Sequence, residues 1–231
     1  MNEKKINRIL STMGEMFPEA HCELHHSNPF ELLIAVMLSA QATDESVNRL
    51  TVSLFHKYRK PEDYLKAPLQ ELEQDIRSIG LFRNKAKHIQ QMCKILVETF
   101  GGNVPDTHEA LVALPGVGRK TANVVVSVAF GVPAIAVDTH VERVTKRLGL
   151  SKEDDSVLAV EKKLTSIVPR EEWCLTHHRI IFFGRYHCKA QSPRCDACPL
   201  LDICPSGKKR IKGAGMEKPK NRKTIHVEAD L

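Results

Sequence analysis

At 231 residues the chain can hold one large domain or two small ones, and either can bury a real core. Its 42% hydrophobic and 27% charged residues are ordinary for a folded protein, so neither disorder nor a membrane role is the default. No apolar run reaches the ~18 residues of a bilayer span, and MNEKKINRIL has no apolar core of signal-peptide length, so a cytoplasmic protein is expected. The net charge of +6 suits a polyanionic partner without demanding one.

In chain order the sequence reads as helices almost throughout. Asn28-Pro29 followed by Glu31 marks a helix start, with Asn28 as N-cap, Pro29 in the first turn and Glu31 closing a capping box. The stretch FELLIAVMLSA that follows is nearly all apolar, which predicts a helix buried on every face. Ala86, Ile89, Cys93, Leu96 and Phe100 recur at spacings of three and four, and Gly101 stops that helix. A short helix is expected around His108 to Ala113, and a longer one from near Arg119 to Gly131. Val124-Val125-Val126 could pass for a strand, but it shows no alternation and lies inside the longer helical span. Val141, Val144 and Leu148 mark a helix ended by Gly149, and Leu164 and Ile167 another that ends before Pro169. The segment GKKRIKGAGMEKPKNRKT, beyond Cys204, is basic and poor in apolar residues, and reads as a flexible tail.

Three features carry chemistry. Leu114-Pro115-Gly116-Val117-Gly118-Arg119-Lys120 joins two helices through a glycine-rich turn. Without Cβ atoms at 116 and 118, backbone N–H groups can approach a phosphate at the positive end of a helix dipole. This is a helix-hairpin-helix, which grips the DNA backbone without reading bases; the bland alternative is a tight connection that binds nothing. Lys120 lies in the first turn of the helix, where a cation opposes the dipole. That position disfavours the charged amine and suits a Schiff-base nucleophile, although a plain phosphate contact beside Arg119 explains it equally well. Asp138 opens the helix THVERVTKRLGL as a preferred N-cap, and a cap facing a cleft can also serve as a catalytic carboxylate.

The third feature is a cluster of thiols. Four of the seven cysteines, Cys188, Cys195, Cys198 and Cys204, follow the pattern C-x6-C-x2-C-x5-C. In a chain with no export signal, such crowding points to a metal rather than to disulfides. One compact loop of four thiols suits a cubane iron–sulfur cluster, and zinc stays open on spacing alone. Cys22, Cys93, Cys174, Thr139 and His140 read as packing or helix-end residues.

Taken together, these residues resemble the endonuclease III family. The likeness covers about residues 20–204 and includes LLIAVMLSAQATD at 32–44, SIGLFRNKA at 78–86, LPGVGRKTANVV at 114–125, VDTHVERV at 137–144 and the cysteine loop. It implies an all-α helix-hairpin-helix glycosylase fold. A six-helix barrel is expected over 22–133, and a second helical domain, from 1–21 and 134–207, would bear a [4Fe–4S] cluster held by the four cysteines. Residues 208–231 would form the basic tail. The active site is expected between the domains.

The implied activity is base-excision repair by a bifunctional DNA glycosylase and AP lyase acting on oxidised or ring-saturated pyrimidines. Lys120 would be the nucleophile and Asp138 its helper, while Gly116, Val117, Gly118 and Arg119 hold the backbone. Gln41 and Leu81 match the residues that fill the gap left by an extruded nucleotide. The implied partner is double-stranded DNA with damaged pyrimidines or abasic sites, bound by a prokaryotic, nucleoid-associated monomer with no membrane role. Three alternatives remain at this point: a sister glycosylase for adenine or mismatched thymine, a non-catalytic DNA-binding module, and a structural zinc protein.

Overall fold

The computed structural model describes residues 3–213, and among them there is no strand. No helix among these residues is long and apolar enough to cross a membrane. The described residues divide into two compact units: a central one, Cys22–Ala136, and a terminal one that combines 3–21 with 137–213.

The central unit contains α2 (Pro29–Leu38), α3 (Asp44–Lys57), α4 (Pro61–Lys66), α5 (Leu69–Asp75), α6 (Phe82–Phe100), α7 (His108–Val112) and α8 (Arg119–Phe130). The short α4 and α5 are separated by Ala67 and Pro68, both in extended backbone as the residue before a proline favours. Helix α2 lies at the centre. Every residue from Leu32 to Leu38 is buried, and α3, α6 and α8 all pack against it. Each leucine or isoleucine so enclosed contributes about 1.5–3 kcal/mol relative to an exposed one.

Asn28 caps α2 by accepting from the Glu31 N–H at 2.9 Å. The reciprocal half of the expected box is displaced by one residue: Glu31 Oε2 accepts from the N–H and hydroxyl of Ser27, both at 2.7 Å, rather than from Asn28. Ser27 offers two donors to one carboxylate oxygen, which a single backbone N–H cannot match.

The terminal unit contains α1 (Glu3–Met16), α9 (Thr139–Leu148), α10 (Val157–Ile167), α11 (Trp173–Phe182), a turn of π-helix over Phe183–His187, the cysteine loop, and α12 (Pro205–Gly213). Ile6, Ile9 and Met13 form the buried stripe of α1, which packs on α11. Phe17 meets Phe182 and Phe183 edge-on, with ring centroids 6.0 and 6.4 Å apart. Lys5 Nζ donates to Leu148 O at 2.7 Å and so closes the carbonyl end of α9.

Two boundaries differ from those expected. The central unit runs to Ala136 rather than 133, because Ala136 packs in its core and Asn123 Nδ2 donates to Ile135 O at 2.9 Å. The basic run after Gly207 does not begin as a flexible tail. Residues 205–213 form α12, which packs on α9, and Ile211 is buried while Lys208, Lys209, Arg210 and Lys212 are exposed. One apolar residue at helical spacing from Gly207 is enough to seat two turns that composition alone marks as solvated. The rest of the expected tail, 214–231, lies outside the described residues.

Candidate functional site

In the central unit, α7 and α8 pack together and the turn between them carries the glycines. Gly116 has φ +77°, and a Cβ there would lie 2.8 Å from His88 Cβ and 3.0 Å from Met37 Cε. The fold itself therefore demands glycine at 116. Gly118 is different: its φ is −87°, and a Cβ would meet nothing within 4 Å. It is the N-cap of α8 and has no side chain to satisfy the first N–H groups of the helix, so that end is open to an external acceptor. The turn does not present Val117, whose side chain is buried and whose N–H donates to Leu114 O at 3.1 Å. Arg119 and Lys120 follow as the first two helical residues, and both are exposed.

Gln41 and Leu81 belong to the same unit, and their backbones share an unusual feature. Both lie in the left-handed region, with φ of 57° and 60°, where residues other than glycine are uncommon. Leu81 is the N-cap of α6 and its side chain is 56% exposed. Gln41 follows α2 and is exposed too. A Cβ on Gly80 would lie 3.9 Å from Gln41 O, so the two connections run side by side.

Asp138 belongs to the terminal unit, at the start of α9. Its Oδ1 accepts from the N–H groups of His140 and Val141, both at 2.8 Å, which leaves Oδ2 for other work. His140, two residues on, is held below its usual pKa by burial, against the opposing pull of Asp138. Arg143 lies 3.2 Å from His140 Nδ1 and donates to Gly184 O at 2.9 Å.

At the far end of the same helix, Arg147 reaches the cysteine loop. It donates to Lys189 O at 2.6 Å, to Ala190 O at 2.9 Å and to Cys188 Sγ at 3.4 Å. Neither arginine stands out in the sequence. The available signal was their i, i+4 spacing along one flank of the apolar stripe of Val141, Val144 and Leu148 on α9.

All four cysteines of the loop line one small pocket, together with Leu148, Phe183, His187, Arg194 and Leu201. Burial pushes the Cys198 thiol up to about 12 and raises Cys195 and Cys204 too, with the neighbouring thiols adding to the effect. Three sulfurs so placed are costly as bare thiolates, and binding to a cationic metal centre offsets that cost. The N–H of Gly207 points at Cys204 Sγ from 3.2 Å, as donors do toward cluster sulfurs. Among the described residues, no group of three or more His, Cys, Asp or Glu closes around a single metal ion.

The comparisons with known proteins agree with this arrangement. Residues 34–170 match the family model of the HhH-GPD superfamily of base excision DNA repair proteins, and residues 188–204 match that of the iron–sulfur binding domain of endonuclease III. A DNA-repair protein with a helix-hairpin-helix and a cysteine-bound cluster is thus the class that fold and site define. The chain is 66% identical to endonuclease III of Bacillus subtilis over 92% of its own length and 97% of the relative's. The solved structure of a non-covalent endonuclease III–DNA complex is 65% identical, with a TM-score of 0.90 over 92% of this chain and 99% of that one. A trapped endonuclease III–DNA covalent intermediate is 66% identical, with a TM-score of 0.90 over 91% and 99%. The chain belongs to the endonuclease III family: it is a base-excision DNA glycosylase with AP lyase activity and takes a [4Fe–4S] cluster as cofactor.

Proposed function

We propose that Lys120 is the nucleophile, that Asp138 assists it, and that the substrates are oxidised or ring-saturated pyrimidines in duplex DNA. The observation that carries this reading is the start of α8, where an exposed lysine in the first helical turn follows an open glycine N-cap. Gly118 and the first N–H groups of α8 would hold a phosphate, with Arg119 adding charge. Gly116 shapes the turn, and Val117 fixes it to the core.

Extrusion of the lesion exposes C1′ of its sugar. The Lys120 amine attacks that carbon, the C1′–N bond breaks, and the base departs with the bonding electrons and takes up a proton. The attached nitrogen loses one proton, the C1′–O4′ bond breaks as O4′ takes up a proton, and the resulting open-chain iminium acidifies the C2′ hydrogens. Loss of one as a proton forms the C2′–C3′ double bond and expels the 3′ phosphate, so the strand is nicked. Asp138, its Oδ1 held by the start of α9, would use Oδ2 to stabilise the cationic sugar and relay protons.

Cys188, Cys195, Cys198 and Cys204 would ligate the cluster. When bound, the cluster supplies positive charge and a rigid cross-link to a loop without regular secondary structure. Gln41 and Leu81 would fill the vacated stack. The protein would work as a monomer in the cytoplasm, on nucleoid DNA.

A panel of duplexes tests the substrate reading. Single-turnover rates on thymine glycol and 5-hydroxycytosine should exceed those on uracil, 8-oxoguanine paired with cytosine, and adenine opposite 8-oxoguanine by at least about tenfold, or ~1.4 kcal/mol of barrier. A preference for uracil or for the adenine mispair overturns it.

A further inference from the structure

The buried Lys85 is a charged residue that the mechanism above does not use. It lies on the core face of α6, 7% exposed, in register with Ala86 and Ile89. Burial lowers its pKa, and in return its ammonium makes two contacts. Nζ donates to Leu38 O and to Ala40 O, each at 2.7 Å. Leu38 O is one of the last carbonyls of α2, at the negative end of that helix, where a cation is favoured. Ala40 O belongs to the residue just before Gln41. One turn back along α6, the Lys85 N–H donates to Leu81 O at 3.1 Å.

The Lys85 side chain therefore holds the connection at Gln41 while its main chain closes the first turn after Leu81, so one residue touches two side-by-side connections that carry left-handed non-glycine backbone. Left-handed backbone costs roughly 1–2 kcal/mol per residue and persists only where surrounding contacts over-determine it. At Gln41 the over-determination is visible: Ala42 N–H turns back onto Ser39 O at 3.1 Å, and Lys85 pins the carbonyls on either side of Ser39.

We propose that Lys85 is a positioning residue that pre-organises Gln41 and Leu81 as a rigid pair, so that the pair enters the helix without a folding cost at the moment the nucleotide leaves. This rests on the reading of those two residues as gap fillers. It predicts a defect confined to substrates that must be unstacked.

The test uses the cluster-loaded protein with Lys85→Met, which keeps the apolar stem and removes the donors, and Lys85→Gln, whose shorter amide retains one reach. Each is measured on a lesion paired within a duplex and on an abasic site in a single strand, where no stack has to be replaced. Excision from the duplex should fall at least about tenfold for Lys85→Met and less for Lys85→Gln, while single-strand cleavage stays within about twofold. Adding Gln41→Ala to Lys85→Met should cost little beyond the larger single loss, because both disable one device. Equal loss on both substrates means a general folding role and overturns the proposal, as does no loss on either. If Lys85→Met does not fold, the duplex-to-single-strand ratio of Lys85→Gln decides. If Gln41→Ala and Leu81→Ala leave duplex excision unchanged, the gap-filling reading itself fails. If they lose it while the Lys85 variants do not, only the proposal about Lys85 fails.

Discussion

The two hairpin glycines should respond to the same substitution in opposite ways. Gly116→Ala forces a Cβ into left-handed backbone at φ +77°, at about 1–2 kcal/mol. It also drives that Cβ to 2.8 Å from His88 Cβ, where the neighbouring backbone must give. Overpacking of this kind costs about 1–3 kcal/mol. The stiffer unfolded chain returns about 0.4–1 kcal/mol. The net loss is about 3 kcal/mol, a fall in melting temperature of roughly 6–12 °C for a chain of this size.

At Gly118 the Cβ meets nothing and φ is already negative. Alanine is a poorer N-cap than glycine by several tenths of a kcal/mol, and the unfolded-state gain is of similar size, so stability should not change. What the methyl does occupy is the space a phosphate would need. Removing one charge-assisted backbone hydrogen bond is worth about 1.5–3 kcal/mol, or roughly ten- to hundredfold in affinity. Thermal unfolding by circular dichroism and titration of an undamaged duplex at fixed salt read the two effects separately. Gly118→Ala binding as tightly as the parent would refute the idea that this opening is kept for DNA. Gly116→Ala melting with the parent would refute the clash.

Borohydride added during turnover should trap a covalent protein–DNA adduct, and Lys120→Gln should lose adduct and nicking but keep duplex binding; an adduct that persists in the variant removes Lys120 from its role. Asp138→Asn can still accept from His140 and Val141 through Oδ1, so its melting curve should match the parent while single-turnover excision falls; an unchanged rate would leave Asp138 as a cap alone. Protein purified without oxygen should be yellow-brown and contain iron, and Cys198→Ser should lose both; colourless protein with stoichiometric zinc contradicts the cluster assignment. Because Ile211 anchors α12, neutralising Lys208, Lys209 and Lys212 to Gln is a cleaner test of that basic helix than truncation. For each phosphate these lysines neutralise in the parent, the slope of log affinity against log salt should flatten by about 0.9 in the variant, and an unchanged slope makes α12 a bystander.

Helices α2, α6, α7, α8, α9 and α10 were legible because their signals are local. Asn28-Pro29, the apolar run after it, and the glycines at 101, 131 and 149 each act within one turn. The turn before α8 was legible for the same reason. Non-local contacts were not. Lys85 stands in the apolar stripe four residues before Ile89, which flags it as odd, but its partners are carbonyls 45 and 47 residues away. Arg147 likewise finds the cysteine loop 41 to 43 residues on. The left-handed backbone of Gln41 and Leu81 left no trace, since neither residue type announces it. Helix α12 was missed because a single buried side chain, Ile211, outweighs a basic composition.

The strain at Leu81 has a consequence for anyone selecting sturdier variants of this protein. Asparagine adopts left-handed backbone more readily than leucine and would not leave a large apolar side chain in water. A screen that rewards heat resistance alone will therefore favour Leu81→Asn. Each such gain, on the order of 1 kcal/mol, would remove the wedge on which substrate opening is proposed to depend. Thermostable lineages should be checked on intact duplex rather than on an abasic strand, because the abasic assay would score a protein that has lost its grip on stacked DNA as fully active.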